Sequence, residues 1–85
     1  MDDETIHALV PAVLEQSRSR ETPFVSQAID RLKETTDIAE DEILYMIAFC
    51  LADELERMNE SASTFDTDRY RTLLELLPNM PEKQG

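Results

Sequence analysis

The residues able to do chemistry are few in this sequence, and they lie far apart. His7 is the only histidine and Cys50 the only cysteine, so neither has a second such ligand at a metal-binding spacing. Cys50 stands between Phe49 and Leu51, where burial among apolar side chains would raise the pKa of the thiol and suppress its nucleophilicity. We therefore predict a surface or boundary position for His7, a packing role for Cys50 and no enzymatic activity.

Carboxylates are abundant, but their spacing does not predict a metal site. Asp37, Glu40 and Asp41 stand where a helix would begin, and there they stabilise the positive end of the helix dipole. Residues 66–68 (Asp-Thr-Asp) begin like a calcium loop, yet no glycine follows at the sixth position and Leu77 occupies the place of the bidentate acid. We expect no metal and no cofactor.

The charge balance favours one kind of partner. Nineteen acidic residues against eight basic ones give a net charge of −11. Such a chain repels nucleic-acid phosphate and anionic lipid and attracts basic surfaces. We expect a partner protein with a basic surface and no direct binding to nucleic acid.

No segment predicts contact with a membrane. The longest apolar run, residues 43–52, is much shorter than the roughly 18 residues that a membrane-spanning helix needs. No signal peptide is evident, and a single cysteine suits a reducing compartment. These features predict a cytoplasmic protein that does not enter the membrane.

The elements that would position these residues are all helices. The only glycine is Gly85, so glycine-containing hairpin turns and phosphate-binding loops are excluded. Apolar residues recur with helical spacing, and no sustained alternation predicts a strand. We predict an all-α, compact four-helix bundle around a long central third helix, within a single domain at residues 1–78 followed by a flexible tail at residues 79–85. The predicted helices cover residues 3–19, 23–35, 37–59 and 66–77.

Three helix starts can be predicted from the sequence. Thr22-Pro23 places an N-cap before a proline at the first helical position. Asp37 and Glu40 predict a capping box for the third helix, and Phe65 predicts a hydrophobic staple onto Tyr70 across an N-cap at Asp66.

The first helix leaves one alternative open. Pro11 interrupts its apolar stripe, so either a kinked helix runs through Pro11 or the helix begins near it. We favour the kinked helix, because the apolar residues before and after Pro11 keep the same helical periodicity.

The third helix carries two apolar faces. One is the predicted core stripe, which is broadened by Leu44 and Ala48 and consists of Ile43, Ile47, Leu51, Leu55 and Met58. Tyr45, Met46 and Phe49 lie outside this stripe. We also expect Asp53 and Arg57 to form a surface ion pair at i, i+4.

The second face predicts a site of interaction with another protein. Its apolar and aromatic centre is bordered by acids, and its members are Glu42, Tyr45, Met46, Phe49, Asp53, Glu56 and Glu60. Aromatic anchors and steering charges are typical of docking surfaces. The sequence therefore predicts a small non-enzymatic adaptor or regulator. The alternative is a DNA mimic that inhibits a nucleic-acid-binding protein, as antirestriction, anti-CRISPR or antitoxin-like proteins do. A homodimer through Tyr45, Met46 and Phe49 is a further hypothesis.

Three other patterns are weaker. Residues 73–77 match an L-x-x-L-L docking motif, but the same leucines are needed as the buried stripe of the last helix. In size, acidity and helix content the chain resembles an acyl carrier protein. However, no Asp-Ser-Leu stands at a helix start to carry the prosthetic arm. The second and third helices resemble a helix-turn-helix unit, but acids open the would-be recognition helix at residues 37–42.

Overall fold

A computed structural model describes residues 2–80, and these residues form four helices with no strand among them. The helices are α1 (Asp3–Arg18), α2 (Pro23–Thr35), α3 (Glu40–Ser61) and α4 (Thr67–Leu76). The Cα radius of gyration is 12.3 Å, close to the value of about 12 Å expected for a compact domain of this length. The predicted all-α four-helix fold is confirmed.

Helix α1 runs without interruption through Pro11. Its N-cap is Asp2, whose carboxylate accepts hydrogen bonds from the backbone N–H and the hydroxyl of Thr5 at 2.9 and 2.6 Å. Of the two alternatives for this segment, the helix through Pro11 is therefore the one observed.

The start of α3 differs from the prediction. The helix begins at Glu40 rather than Asp37, and its N-cap, Ala39, makes no side-chain capping bond. The Thr36 hydroxyl accepts a hydrogen bond from the N–H of Ile38 at 3.2 Å, a local contact outside the helix. Ala39 rather than Asp37 stands at the N-cap, so the predicted capping box with Glu40 is wrong.

The end of α3 extends two residues beyond the predicted boundary. Ala62 adopts a left-handed conformation with φ 51°, a position that glycine occupies in many helix C-termini. The backbone N–H of Ser63 closes the helix by donating to the carbonyl of Met58 at 3.2 Å.

The starts of the other two helices follow the prediction. Helix α2 has Pro23 in its first turn, although the Thr22 hydroxyl donates to the carbonyl of Gln16 at 2.7 Å instead of capping α2. Helix α4 is capped by Asp66, which accepts from the N–H of Arg69 at 3.0 Å. The rings of Phe65 and Tyr70 meet edge to face at 5.6 Å, as the staple predicts.

The helices α2 and α3 form the centre of the bundle. Each packs against all three other helices, and the pairing of α1 with α3 is the most extensive. The backbones of α1 and α4 stay apart. The buried Tyr70 spans this gap and donates from its hydroxyl to Gln16 Oε1 at 2.6 Å.

The core stripe of α3 is rotated relative to the prediction. Ile43, Ile47 and Leu51 are buried as expected. Leu55 is 39% exposed, Met58 is half-buried, and Cys50 and Glu54 face the core instead. Each residue turns the helix by about 100°, so Glu54 continues the inner line from Ile43 and Ile47 while Leu55 falls at its edge.

The last described residues lie close to the bundle. Leu77 is buried, and Met80 is half-buried against the core. Residues 81–85 of the predicted tail lie outside the described residues, so the domain boundary stays a prediction. Within residues 2–80, no helix combines the length and the apolar character that crossing a bilayer would require.

Candidate functional site

The predicted interaction face lies entirely on α3, and we call it the α3 surface (Glu42, Tyr45, Met46, Phe49, Asp53, Glu56 and Glu60). Its apolar centre, Tyr45, Met46 and Phe49, is half-buried and packs against the edge of the core. Glu42 and Glu60 are exposed, whereas Asp53 and Glu56 are half-buried. The α3 surface is therefore only partly open to a partner.

Tyr45 is held by the first turns of α1. Its hydroxyl donates to Asp3 Oδ1 at 2.7 Å, and its ring lies 4.9 Å from the ring of His7 at a tilt of 55°. His7 Nε2 lies 3.2 Å from Asp3 Oδ2. The hydrogen bond to Asp3, together with desolvation, raises the pKa of Tyr45. These contacts fix the aromatic ring at the border between α1 and α3.

The sequence did not indicate that Asp3 and His7 would join the α3 surface. They precede Tyr45 by about forty residues, and only the direction of α1 relative to α3 brings them together. The side chain of His7 is 62% exposed, so its predicted surface position is confirmed.

Asp53 contributes less negative charge to the α3 surface than the sequence suggests. Its carboxylate accepts from Arg69 Nη2 at 2.6 Å, and only 16% of its side chain is exposed. The predicted ion pair between Asp53 and Arg57 is wrong, because the guanidinium of Arg57 turns to Glu54. Arg69 of α4 neutralises Asp53 instead.

An ionic cluster centred on the buried Glu54 joins α3 to α4, and we call Asp53, Glu54, Arg57 and Arg69 the Glu54 cluster. The Glu54 side chain is fully buried. It accepts from Arg57 Nε at 2.7 Å and Arg57 Nη2 at 2.6 Å. It also accepts from Arg69 Nη1 at 2.9 Å and from the backbone N–H of Asp66 at 2.7 Å. Both carboxylate oxygens are thus bound by donors from α3, α4 and the loop between them.

The arginines keep Glu54 ionised in spite of its burial. The hydrogen bonds from Arg57 lower the pKa of Glu54 to about 2, against the opposing effect of desolvation. Among residues 2–80, every buried side-chain nitrogen or oxygen has a hydrogen-bond partner. Glu54 therefore acts as an anchor for the start of α4, since all its acceptor positions are already engaged by the protein itself.

The sequence carries one signal for this cluster, which the predicted core stripe of α3 does not include. Glu54 follows Ile43 and Ile47 by eleven and seven residues, in phase with the inner face of α3. A carboxylate at such a position requires an arginine or lysine partner. Arg57 stands three residues on, which is also a helical spacing.

Cys50 is fully buried. Burial raises the pKa of its thiol to about 12, so the thiol stays protonated at neutral pH. The predicted packing role is confirmed.

Within residues 2–80, no three metal-binding side chains of His, Cys, Asp or Glu lie close enough together to hold an ion. Comparison with protein-family models, with curated proteins and with solved structures finds no match to this chain.

Proposed function

We propose that the chain is a non-enzymatic helical adaptor or regulator that docks onto a basic surface of another protein through the α3 surface. The bundle supplies a rigid scaffold, and Tyr45, Met46 and Phe49 supply the apolar contact. The exposed acids around them steer the approach of a positively charged partner.

The observation that carries this proposal is the state of the acids beside the aromatic centre. Glu42 and Glu60 are exposed, and neither forms an ion pair among residues 2–80. Their charge is therefore available to a partner, unlike that of Asp53. Asp3 adds a further carboxylate beside Tyr45.

The geometry of Tyr45 adds a second argument. Its ring is already oriented by Asp3 and His7 before any partner arrives. A side chain fixed in advance loses less conformational entropy on binding than a free one. Tyrosine is also one of the residues most enriched at the energetic centres of protein interfaces.

The test compares two pairs of charge reversals that change the net charge equally. The first pair, Glu42→Lys and Glu60→Lys, alters the α3 surface. The matched control pair, Glu15→Lys and Glu34→Lys, alters exposed acids on α1 and α2. Tagged wild-type protein and both variants are used to capture partners from the native host, and each captured partner is then purified and titrated against them.

We expect one basic partner whose affinity falls at least tenfold for the first pair and changes little for the control. Affinity should also fall as salt is added, because charge-steered complexes are screened. Partners with acidic surfaces, or equal losses for the two pairs, would contradict docking through the α3 surface.

The second candidate, a DNA mimic, is favoured by a different observation. Exposed acids without an ion-pair partner among residues 2–80 occur on all four helices, for example Glu15, Glu34, Glu42 and Glu75. A DNA mimic would use this distributed charge, so both pairs of reversals should weaken binding to a similar extent. Comparing the two pairs of charge reversals therefore distinguishes an adaptor that docks through the α3 surface from a DNA mimic.

Self-association through Tyr45, Met46 and Phe49 would compete with docking, because it uses the same side chains. A symmetric dimer would cover the half-buried aromatic centre on both copies. Light scattering at tens of micromolar protein measures the molar mass, and the mass of a monomer would contradict the dimer hypothesis. We place this activity in the reducing cytoplasm, a location supported by the free thiol of Cys50.

A further inference from the structure

A second surface lies between α2 and α4, on other helices than the α3 surface. It is a groove of about 230 Å³. Phe24, Ala28 and Leu74 form its apolar part, and Arg31, Arg71 and Glu75 border it. Ala28 is small, which leaves room between the two helices. An enclosed cavity of about 150 Å³ accommodates benzene, so the volume of this open groove matches one large apolar side chain. Ala28 and Leu74 are 6% and 1% exposed, so the half-buried Phe24 offers most of the apolar contact.

Arg31 is the distinctive residue of this groove. Its side chain donates from Nη2 to the backbone carbonyl of Leu74 at 2.9 Å. That acceptor is neutral, and Arg31 has no carboxylate partner among residues 2–80. Arg57 and Arg69, by contrast, are both neutralised in the Glu54 cluster. Within residues 2–80, Arg31 is thus a half-buried cation without an ion pair, and the exposed Glu75 is the one acid that borders the groove beside it.

Arg71 of α4 adds a second cation to the border of the groove. It pairs with Asp68 at 2.6 Å, and the two side chains are 49% and 82% exposed. An ion pair this open to water contributes little to stability. Arg71 can therefore exchange Asp68 for a carboxylate that a ligand brings into the groove.

We propose that the groove binds an acidic peptide segment of a partner protein, with one large apolar side chain inserted between α2 and α4. The apolar side chain packs on Phe24, Ala28 and Leu74. Carboxylates that flank it in the peptide pair with Arg31 and Arg71. This chemistry is opposite in sign to that of the α3 surface, so the two surfaces would hold different partners at once.

The test measures fluorescence anisotropy of a labelled heptapeptide that has a central phenylalanine with three aspartates on each side. Two control peptides replace the aspartates by lysines or the phenylalanine by alanine. Three protein variants are compared with the wild type: Arg31→Gln, Arg71→Gln and the matched control Arg20→Gln, which removes an exposed arginine outside the groove. Arg71 is exposed, so its variant tests the groove even where Arg31→Gln disturbs the contact with Leu74.

We expect the aspartate–phenylalanine peptide to bind the wild type and Arg20→Gln equally, and Arg31→Gln and Arg71→Gln at least tenfold more weakly. Replacing phenylalanine by alanine should also cost at least tenfold in affinity. The proposal is overturned by no binding at millimolar protein, by equal binding of the lysine peptide, or by unchanged affinity of both groove variants. Sedimentation equilibrium tests for self-association of the protein. If the wild type self-associates and Arg71→Gln does not, the groove binds a second copy of the chain, and the proposal of an acidic peptide is overturned.

Discussion

Two glutamates on α3 show how differently one residue type can behave on a single helix. Glu54 is fully buried and receives hydrogen bonds from Arg57, Arg69 and the backbone of Asp66. Glu60 lies six residues later, is exposed and has no ion-pair partner among residues 2–80. The inner acid ties α4 to α3, whereas the outer acid is free to face a partner.

The difference comes from the neighbours that the fold supplies. Burial of a carboxylate is unfavourable unless charged donors surround it. Arg57 provides such donors from within α3, and Arg69 provides one from α4. Acidic residues of this chain therefore cannot be assigned a role from their position along α3 alone.

The largest expected effect comes from placing a carboxylate on the inner face without an arginine. Ile47 is fully buried, so Ile47→Asp buries an unpaired charge at a cost of several kcal/mol. That is comparable to the entire stability of a small domain, about 5–15 kcal/mol. Far-UV circular dichroism at 25 °C should show an unfolded chain.

The control for this variant is Leu55→Asp, which is on the same helix at a position 39% exposed. There the new charge remains in contact with water, so the variant should stay folded. A cooperative, wild-type-like melt of Ile47→Asp would show that the inner face tolerates an unpaired charge.

The next largest loss of stability should follow from removing the charge of Glu54. Glu54→Gln leaves the guanidinium groups of Arg57 and Arg69 without their shared anion, and we expect a loss of about 3 kcal/mol in the free energy of unfolding. Glu60→Gln should change it by less than about 0.5 kcal/mol. Urea denaturation measures both, and equal losses would remove the distinction between inner and outer acids.

Low pH should weaken the ion pairs of Glu54 in a defined pH range. The folded state lowers the pKa of Glu54 from 4.5 to about 2, so the unfolded chain takes up a proton on this residue more readily. The stabilisation by Glu54 is complete above about pH 4.5 and is lost as the pH falls towards 2. Urea midpoints measured from pH 6 to pH 2 should fall through this range for the wild type. They should fall less steeply for Glu54→Gln, and parallel curves would contradict the assignment.

A smaller loss of stability than that of Glu54→Gln is expected at the aromatic centre of the α3 surface. Phe49 is half-buried, so Phe49→Ala should cost about 1–2 kcal/mol rather than the roughly 3–5 kcal/mol of a fully buried phenylalanine. Thermal melting compares it with Ile47→Ala at a fully buried position. A loss larger than that of Ile47→Ala would place Phe49 in the core and remove the main anchor of the α3 surface.

Local patterns predicted much of the fold. Thr22-Pro23, Asp66 and the pair Phe65 and Tyr70 marked the starts of α2 and α4, because these signals depend on residues within one helical turn. The predicted start of α3 was wrong, and the cause was again a local hydrogen bond. The Thr36 hydroxyl accepts a hydrogen bond from the N–H of Ile38, and a capping pattern alone does not show which local hydrogen bond is the more stable.

The candidate site was less predictable. Its residues share α3 as expected. However, Asp53 forms an ion pair with Arg69, and Tyr45 has Asp3 and His7 as neighbours. These contacts involve residues separated by more than a dozen positions in the chain. Periodicity describes a single helix and contains no information on the rotation or direction of the next one.

The sequence by itself determined that this chain is helical and strongly acidic, since helical periodicity, the near absence of glycine and the excess of carboxylates are all local or additive properties. Only the tertiary structure decided which carboxylates are neutralised. Ion pairs act over a few ångströms, and only the packing of α1 and α4 on α3 brings Asp3 to Tyr45 and Arg69 to Asp53 and Glu54.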